Sequence, residues 1–182
     1  WEVCDVLGSA PDWHAVPVGN AGNISAYWAG YKQYEEMGKI RVLPRMMGFQ
    51  AEGAAPLVTG EPCPMPETVA TAIRIGNPVS ALLAKEAVRL SEGEFNSVTD
   101  EEILSAQYYL SSKGGIFAEP ASCAPLAGLV KLKKLGRLPK GIRVVMVLTG
   151  NGLKDPDTAM SQVGRPIEIG DTLNELLEVM KG

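Results

Sequence analysis

Cysteine is scarce and scattered. Cys4, Cys63 and Cys123 are odd in number and contain no C-x-x-C pair, so neither a disulfide framework nor a zinc site is indicated. A reducing, cytoplasmic setting is expected. Histidine occurs once, as His14, with no acid or nucleophile at useful spacing, and it reads as structural. No apolar run approaches the roughly 18 residues of a membrane span, and no charged-then-apolar leader opens the chain, so no membrane partner is expected. Blocks of like charge are also missing: 17 basic and 21 acidic residues give a net charge of −4. The nearest basic cluster, Lys131, Lys133, Lys134, Arg137, Lys140 and Arg143, reads as a solvated face, and nucleic acid is not expected as a partner. Neither an internal repeat nor a low-complexity linker interrupts the 182 residues, which suffice for one domain with a sizeable core.

What the chain does have is a glycine-rich passage at residues 16–24, Val-Pro-Val-Gly-Asn-Ala-Gly-Asn-Ile, leading from a β-branched run into a helix. Gly19 and Gly22 can adopt backbone angles closed to other residues, so that successive N–H groups converge on one point. The start of the following helix adds its unpaired N–H groups and the positive end of its dipole, a setting that suits a phosphate. Tight strand-to-helix packing is the alternative use of the same glycines.

Around that passage the chain reads as alternating strands and helices. Residues 1–7 lack an initiator Met and place Val3, Val6 and Leu7 at helical spacing, as though the chain were entered partway through a helix; a fragment is expected. A strand at 14–18, a helix from 24 to about 37 with a core stripe of Ile24, Tyr27, Trp28, Tyr31 and Tyr34, and a strand at 40–44 have the length of a βαβ unit, which predicts a parallel sheet. Glu52 suits either a site or the cap of a short helix, the cap being preferred. Residues 60–66 form a rigid proline loop, and 67–75 are predicted extended. Asn77 and Pro78 open a helix whose apolar face carries Val79, Leu82, Leu83, Ala87 and Leu90. A short strand at 95–98 precedes a capping box at Thr99 to Glu102, which predicts a helix from 100 to about 112 stopped by Gly114 and Gly115. Strand 116–118 and the turn 119–122 lead into a helix reaching about 135. Residues 141–148 read as a strand buried on both faces, emptying into the turn 149–156, which can share a crevice with the Gly19 turn beyond the strand ends. A last helix from 171 is expected to pack back through Leu173, Leu176, Leu177 and Met180.

Five ordered motifs carry a resemblance that covers nearly the whole chain: residues 17–23 (Pro-Val-Gly-Asn-Ala-Gly-Asn), 50–54 (Gln-Ala-Glu-Gly-Ala), 68–78, 119–122 (Glu-Pro-Ala-Ser) and 148–155 (Leu-Thr-Gly-Asn-Gly-Leu-Lys-Asp). Together they resemble the threonine synthase family. The resemblance implies the pyridoxal-phosphate fold shared with the tryptophan synthase β-subunit. That is an α/β domain with a three-layer, doubly wound, mostly parallel sheet flanked by helices, here incomplete and spanning 1–182. It implies pyridoxal 5'-phosphate as cofactor, O-phospho-L-homoserine and water as substrates, threonine and phosphate as products, and a homodimer. By the same resemblance Gly19, Asn20, Ala21, Gly22 and Asn23 cradle the cofactor phosphate, Asn23 also meets the substrate phosphate, and Thr149 faces the pyridine nitrogen. Ile75, Gly76 and Glu119 line the pocket. Asn151 departs from the family's usual histidine and bears on pocket polarity.

The family's Schiff-base lysine lies in an N-terminal domain whose motif this chain lacks, so no catalytic residue is assigned within it. Lys154, the nearest lysine in sequence, reads as ion-paired or on the surface. The chain alone is expected to be inactive and to hold the cofactor weakly, through the phosphate cradle. The competing readings are a fold-related enzyme such as a threonine or serine dehydratase or a phosphoserine-using sulfonate synthase, and a non-catalytic phosphate-binding module.

Overall fold

Residues 13–18 alternate between two faces, and that alternation divides the protein into layers. In the computed structural model, which describes residues 1–162 and 167–181, Trp13 and Ala15 of β1 (Trp13–Pro17) enter one core, while Val16 and the following Val18 enter another. β1 pairs in parallel with β2 (Arg45–Ala51) on one side and with β4 (Val144–Met146) on the other; β2 pairs in parallel with β3 (Glu94–Val98). The order is β3-β2-β1-β4. Parallel neighbours need a crossover, and α2 (Gly22–Glu36) supplies the one from β1 to β2. With α4 (Ala81–Leu90), α2 covers the Val16 face; α5 (Asp100–Gly114) and α6 (Pro120–Lys134) cover the Trp13 face. The three-layer α/β arrangement with a parallel sheet is therefore present. The remaining described α-helices are α1 (Glu2–Leu7), α3 (Pro56–Thr59), α7 (Pro156–Gln162) and α8 (Leu173–Lys181).

The two ends of α5 follow directly from the sequence. The Thr99 hydroxyl accepts the Glu102 N–H at 3.1 Å, the Glu102 carboxylate accepts the Thr99 N–H at 2.9 Å, and Gly115 closes the helix at φ 65°. Ile24, Trp28 and Tyr31 of α2 are buried as the aromatic stripe predicts. His14 is buried against that stripe: its Nδ1 lies 2.7 Å from the Tyr31 hydroxyl, its ring stacks on Tyr27, and its Nε2 has no partner among the described residues. Desolvation, helped by the positive N-terminus, lowers its pKa to about 4.

Several elements differ from the sequence expectation. The second strand is Arg45–Ala51, not 40–44: Val42 is exposed and Pro44 has no N–H to give a ladder, whereas Met46, Met47 and Phe49 are fully buried. Residues 67–75 hold a 3-10 turn at Thr71–Ile73 in place of an extended segment. They are tied down by Asp100, whose carboxylate accepts the Thr68 hydroxyl and, at 3.0 Å, the Val69 N–H. α4 begins at Ala81 without an Asn77 cap. It turns Ala84, Ala87 and Val88 inward and leaves Val79, Leu82 and Leu83 67–87% exposed, because small side chains let the helix approach α2 and β2.

Residues 116–118 contribute one antiparallel bridge, Ala118 to Asn151, in place of a strand. The predicted strand 141–148 pairs over three residues at the sheet edge and is half-buried. α8 buries none of its residues. Glu52 opens a 3-10 turn, Glu52–Ala54, without a side-chain cap bond.

Two glycines in helices predict opposite outcomes. A Cβ on Gly128 of α6 would lie 2.0 Å from the fully buried Phe49 ring, while one on Gly30 of α2 would meet nothing closer than 3.7 Å. Gly128→Ala is expected to lose about 1–3 kcal/mol through overpacking. Gly30→Ala is expected to gain up to about 1 kcal/mol of helix propensity, both read from urea unfolding midpoints. His14 gives a pH prediction. Because its folded pKa lies below the unfolded value of about 6.5, the unfolded chain binds the extra proton, and stability present above pH 6.5 is lost as pH falls toward 4. Unfolding at pH 7.5 and 5.0 should differ by about 2 kcal/mol, and His14→Gln should flatten that dependence.

Candidate functional site

All four strands run the same way, so the turns that follow them collect along one edge. A cavity of about 360 Å3 opens there, lined by the turn after β1, by Ala72, Ile73 and Ile75, by the start of α6, and by Thr149 and Lys154 beyond β4. This size is within the range of small-molecule sites, and the position beyond the strand ends is where open α/β sheets bind ligands. The Gly19 and Thr149 turns, which the sequence allowed to share a crevice, do share it.

The backbone of the first turn differs from expectation in one respect. The positive φ belongs to Ala21, at 65°, and not to Gly19 or Gly22. Gly19 is needed for closeness instead: a Cβ there would sit 2.9 Å from Ile73 Cα and 3.1 Å from the Ala72 carbonyl oxygen. Gly22 has open space around it, its nearest neighbour being Ser80 Oγ at 3.9 Å. Holding an alanine in the left-handed region costs about 1–2 kcal/mol, and the strain falls at the cavity. Ala21 is also the N-cap of α2, and among the described residues no side-chain cap bond is made at that helix start. The contrast with the fully capped α5 is informative. The first-turn N–H groups of α2 and the positive end of its dipole are left to whatever occupies the cavity, a ready site for an anion.

The side chains around the turn divide their work. Asn20 faces the entry to α4, its Oδ1 accepting the Val79 N–H at 2.8 Å and its carbonyl accepting the Ser80 N–H at 3.2 Å. Asn23 lines the cavity and is exposed. Ile75 and Glu119 line it too. Gly76 does not; its missing side chain makes room for the Cys63 carbonyl oxygen, which a Cβ would approach to 1.8 Å.

The opposite wall is a seam between residues 117–122 and 149–152. Glu119 donates its N–H to the Gly150 carbonyl at 3.1 Å, and Gly152 donates to the Phe117 carbonyl at 3.0 Å. Gly150 permits this approach, since a Cβ would fall 2.2 Å from the Glu119 carboxylate. Ser122, fully buried in the first turn of α6, accepts the Gly150 N–H at 2.8 Å and lies 3.0 Å from Thr149 Oγ1. Sequence reasoning found the motif ending at Ser122 and gave the serine no role; the available signal was its place one turn into a helix that starts at the site.

Asn151 does not line the cavity and caps the next turn, its Oδ1 accepting the Leu153 N–H at 2.9 Å. Lys154 is exposed at the cavity rim and forms no ion pair among the described residues. Cys123 is buried behind the wall, which pushes its thiol up to about 12 and leaves it unreactive. No group of His, Cys, Asp or Glu among the described residues is placed to hold a metal ion, and no helix of the described structure is long and apolar enough to cross a membrane. An uncapped helix start facing a neutral hydroxyl across a cavity walled by Ile73, Ile75 and Ala121 fits a flat ring that carries a phosphate.

Comparison with known proteins agrees with that chemistry. The family model described as pyridoxal-phosphate dependent enzyme matches residues 1–150. The chain is 57% identical over 170 residues to a threonine synthase from Synechocystis, covering 93% of this chain and 44% of the relative. It is 55% identical over 183 residues to a threonine synthase from Halalkalibacterium halodurans, covering 100% and 51%. The chain thus spans about half the length of the curated relatives it matches. Among solved structures it is similar in fold to a T.th. threonine deaminase (TM-score 0.61, 21% identity, 81% of this chain and 45% of that one). Maize serine racemase is likewise similar (TM-score 0.68, 17% identity, 88% and 50%). With the family model matched over most of its length and a cavity whose donors suit a phosphate-bearing ring, the chain belongs to the pyridoxal-phosphate-dependent enzymes.

Proposed function

We propose that the chain is the cofactor-binding part of a threonine synthase, an enzyme that converts O-phospho-L-homoserine and water to threonine and phosphate. One observation carries the reading: the uncapped start of α2 and the Thr149 hydroxyl line a single cavity, at the spacing and in the order of motifs that resemble threonine synthases. The high identity to threonine synthases supports the substrate, and the fold-level likeness to a deaminase and a racemase does not distinguish it. Pyridoxal phosphate, when bound, supplies an electron sink for bonds at the substrate's amino-bearing carbon.

The chain's own residues would bind and orient. Backbone N–H groups of residues 19–23 hold the cofactor phosphate, and Asn23, exposed at the cavity, also reaches the substrate phosphate. Asn20 contributes through its backbone, because its side chain is occupied with Val79. Thr149 meets the ring nitrogen with a neutral hydroxyl, which unlike a carboxylate does not hold that nitrogen protonated. Ile73 and Ile75 give the ring an apolar wall that excludes water. The lysine that bonds the cofactor belongs to a domain outside residues 1–182, and the assembled enzyme is a homodimer.

Two outcomes are expected. Fluorescence titration of the 182-residue chain with pyridoxal phosphate should show weak binding that inorganic phosphate displaces. Asn23→Ala should weaken it about tenfold, as for a lost hydrogen bond to a charged group, and Gly19→Ala should weaken it further by driving the turn off Ile73. Binding indifferent to phosphate and to both substitutions would remove the cradle. Incubation of the same chain with O-phospho-L-homoserine and cofactor should release no phosphate above background; turnover by these 182 residues alone would overturn the assignment of the lysine to another domain.

A further inference from the structure

We propose that Gln50 is a positioning residue that aims the Gly19 N–H into the cavity and so makes it a donor to a phosphate held there. The inference rests on the proposed reading of residues 19–23 as a phosphate cradle. Gln50 opens the second of the five sequence motifs and is fully buried, the one polar side chain among the buried residues of β2. A buried side-chain amide is costly unless its polar atoms are bonded. Both ends of this one are. Its Oε1 accepts the Leu57 N–H, in the first turn of α3, at 2.8 Å, and its Nε2 donates to the Val18 carbonyl at 3.4 Å. A backbone N–H can only donate and a carbonyl can only accept, so the two backbone partners fix which end of the amide faces which.

The Val18 carbonyl and the Gly19 N–H belong to one peptide unit. In a trans peptide they point to opposite sides, and the described chain holds no cis bond. Gripping the carbonyl on the Gln50 side therefore turns the Gly19 N–H the other way. Val18 still donates its own N–H to the Phe49 carbonyl at 2.8 Å, so strand pairing runs up to the peptide unit that Gln50 holds, and the turn starts directly after it. Gly19 is buried and lines the cavity, and its N–H has no hydrogen-bond partner among the described residues. Buried N–H groups are rarely left unpaired, and an oxygen of a bound phosphate would satisfy this one. The turn contains its own control. The Gly22 N–H shares a peptide unit with the Ala21 carbonyl, which accepts the Ser25 hydroxyl at 2.8 Å and does not touch Gln50.

The experiment is proton–nitrogen-15 correlation NMR of the 182-residue chain, labelled in glycine and titrated with inorganic phosphate. In the unsubstituted chain the Gly19 and Gly22 amide protons should both move downfield as phosphate binds. Gln50→Met keeps the length of the side chain and removes its donor and its acceptor. It should weaken phosphate binding about tenfold, as for one lost hydrogen bond to a charged group, and at saturation abolish the Gly19 shift while leaving that of Gly22. Gln50→Glu supplies the rescue. A protonated carboxyl donates one hydrogen bond and accepts another, as the amide does, whereas the ionised form only accepts. The variant should match the unsubstituted chain while its carboxyl is protonated, the state that burial favours, and bind phosphate about tenfold more weakly once raised pH has ionised it. Carbon-13 labelling of the carboxyl reads its state, and comparison at equal pH cancels the titration of phosphate itself. Should Gln50→Met fail to fold, the pH series on Gln50→Glu decides alone.

An unchanged Gly19 shift and phosphate affinity in Gln50→Met, or an affinity of Gln50→Glu indifferent to the state of its carboxyl, would overturn the role of Gln50 and leave the cradle standing. Equal loss of the Gly19 and Gly22 shifts in Gln50→Met would make Gln50 a support of the fold only and would overturn it too, as would a Gly22 shift without a Gly19 shift in the unsubstituted chain. Phosphate shifts at neither glycine in the unsubstituted chain would overturn the proposed cradle itself.

Discussion

The parallel pairing of β1 with both β2 and β4 is the constraint from which the site follows. Trp13 faces Arg45 on one side and Val144 on the other, so three strands are held in fixed register and leave the sheet together. The two segments that build the cavity, around Gly19 and Thr149, are about 130 residues apart in sequence, and nothing local brings them near each other. Shared strand direction does. The seam of hydrogen bonds from Glu119, Ser122 and Gly152 then locks the far wall to α6, which itself lies on the Trp13 face of the same sheet.

Stability and binding are distributed unevenly over the helix starts. α5 devotes a complete capping box to satisfying its own first turn, and its N-terminal Asp100 anchors the loop that carries Ile73 to the cavity. α2 has no such cap, begins from an alanine in the left-handed region, and leaves its first turn open. A helix of 15 residues tolerates this because Ile24, Trp28 and Tyr31 bury its apolar face. Local rules are broken at the cavity, where the proposed function puts an anion, and kept where only folding is at stake.

The sequence makes legible whatever depends on local chemistry or on alternation: the capping box, the aromatic stripe, β1, β3, the glycine turn and the parallel order of strands. It misleads where burial overrides propensity. Residues 40–44 have the β-branched look of a strand, yet Met46, Met47 and Phe49 occupy the sheet because that is where two helical layers close over it. The leucines of α4 have the look of a core face, yet the alanines face inward, since closeness to β2 favours small side chains over apolar area. At the site, the ordered motifs point to the right segments. The roles within them were only partly readable, because Ala21 takes the strained angle expected of glycine, Asn20 serves the α4 entry, and Ser122 acquires its contact with Thr149 only through the fold.

On the proposed reading, the described residues of the cavity supply parts for holding a ring and none for bonding to it. A lysine that attacks a carbonyl carbon needs apolar surroundings to strip water from its amine. Lys154, the one lysine lining the cavity, lies exposed on the rim with no such enclosure among the described residues. The binding determinants on that reading are backbone N–H groups of the first turn and the exposed Thr149 hydroxyl backed by the buried Ser122, placed by the sheet and by α6. These elements are rigid and can be set in place before any ligand arrives, whereas a desolvated amine requires a wall that closes over the ring. On the same proposed reading, a floor that meets phosphate and ring nitrogen at two points leaves the opposite face of the ring open, and that open face is where a wall carrying the lysine would close.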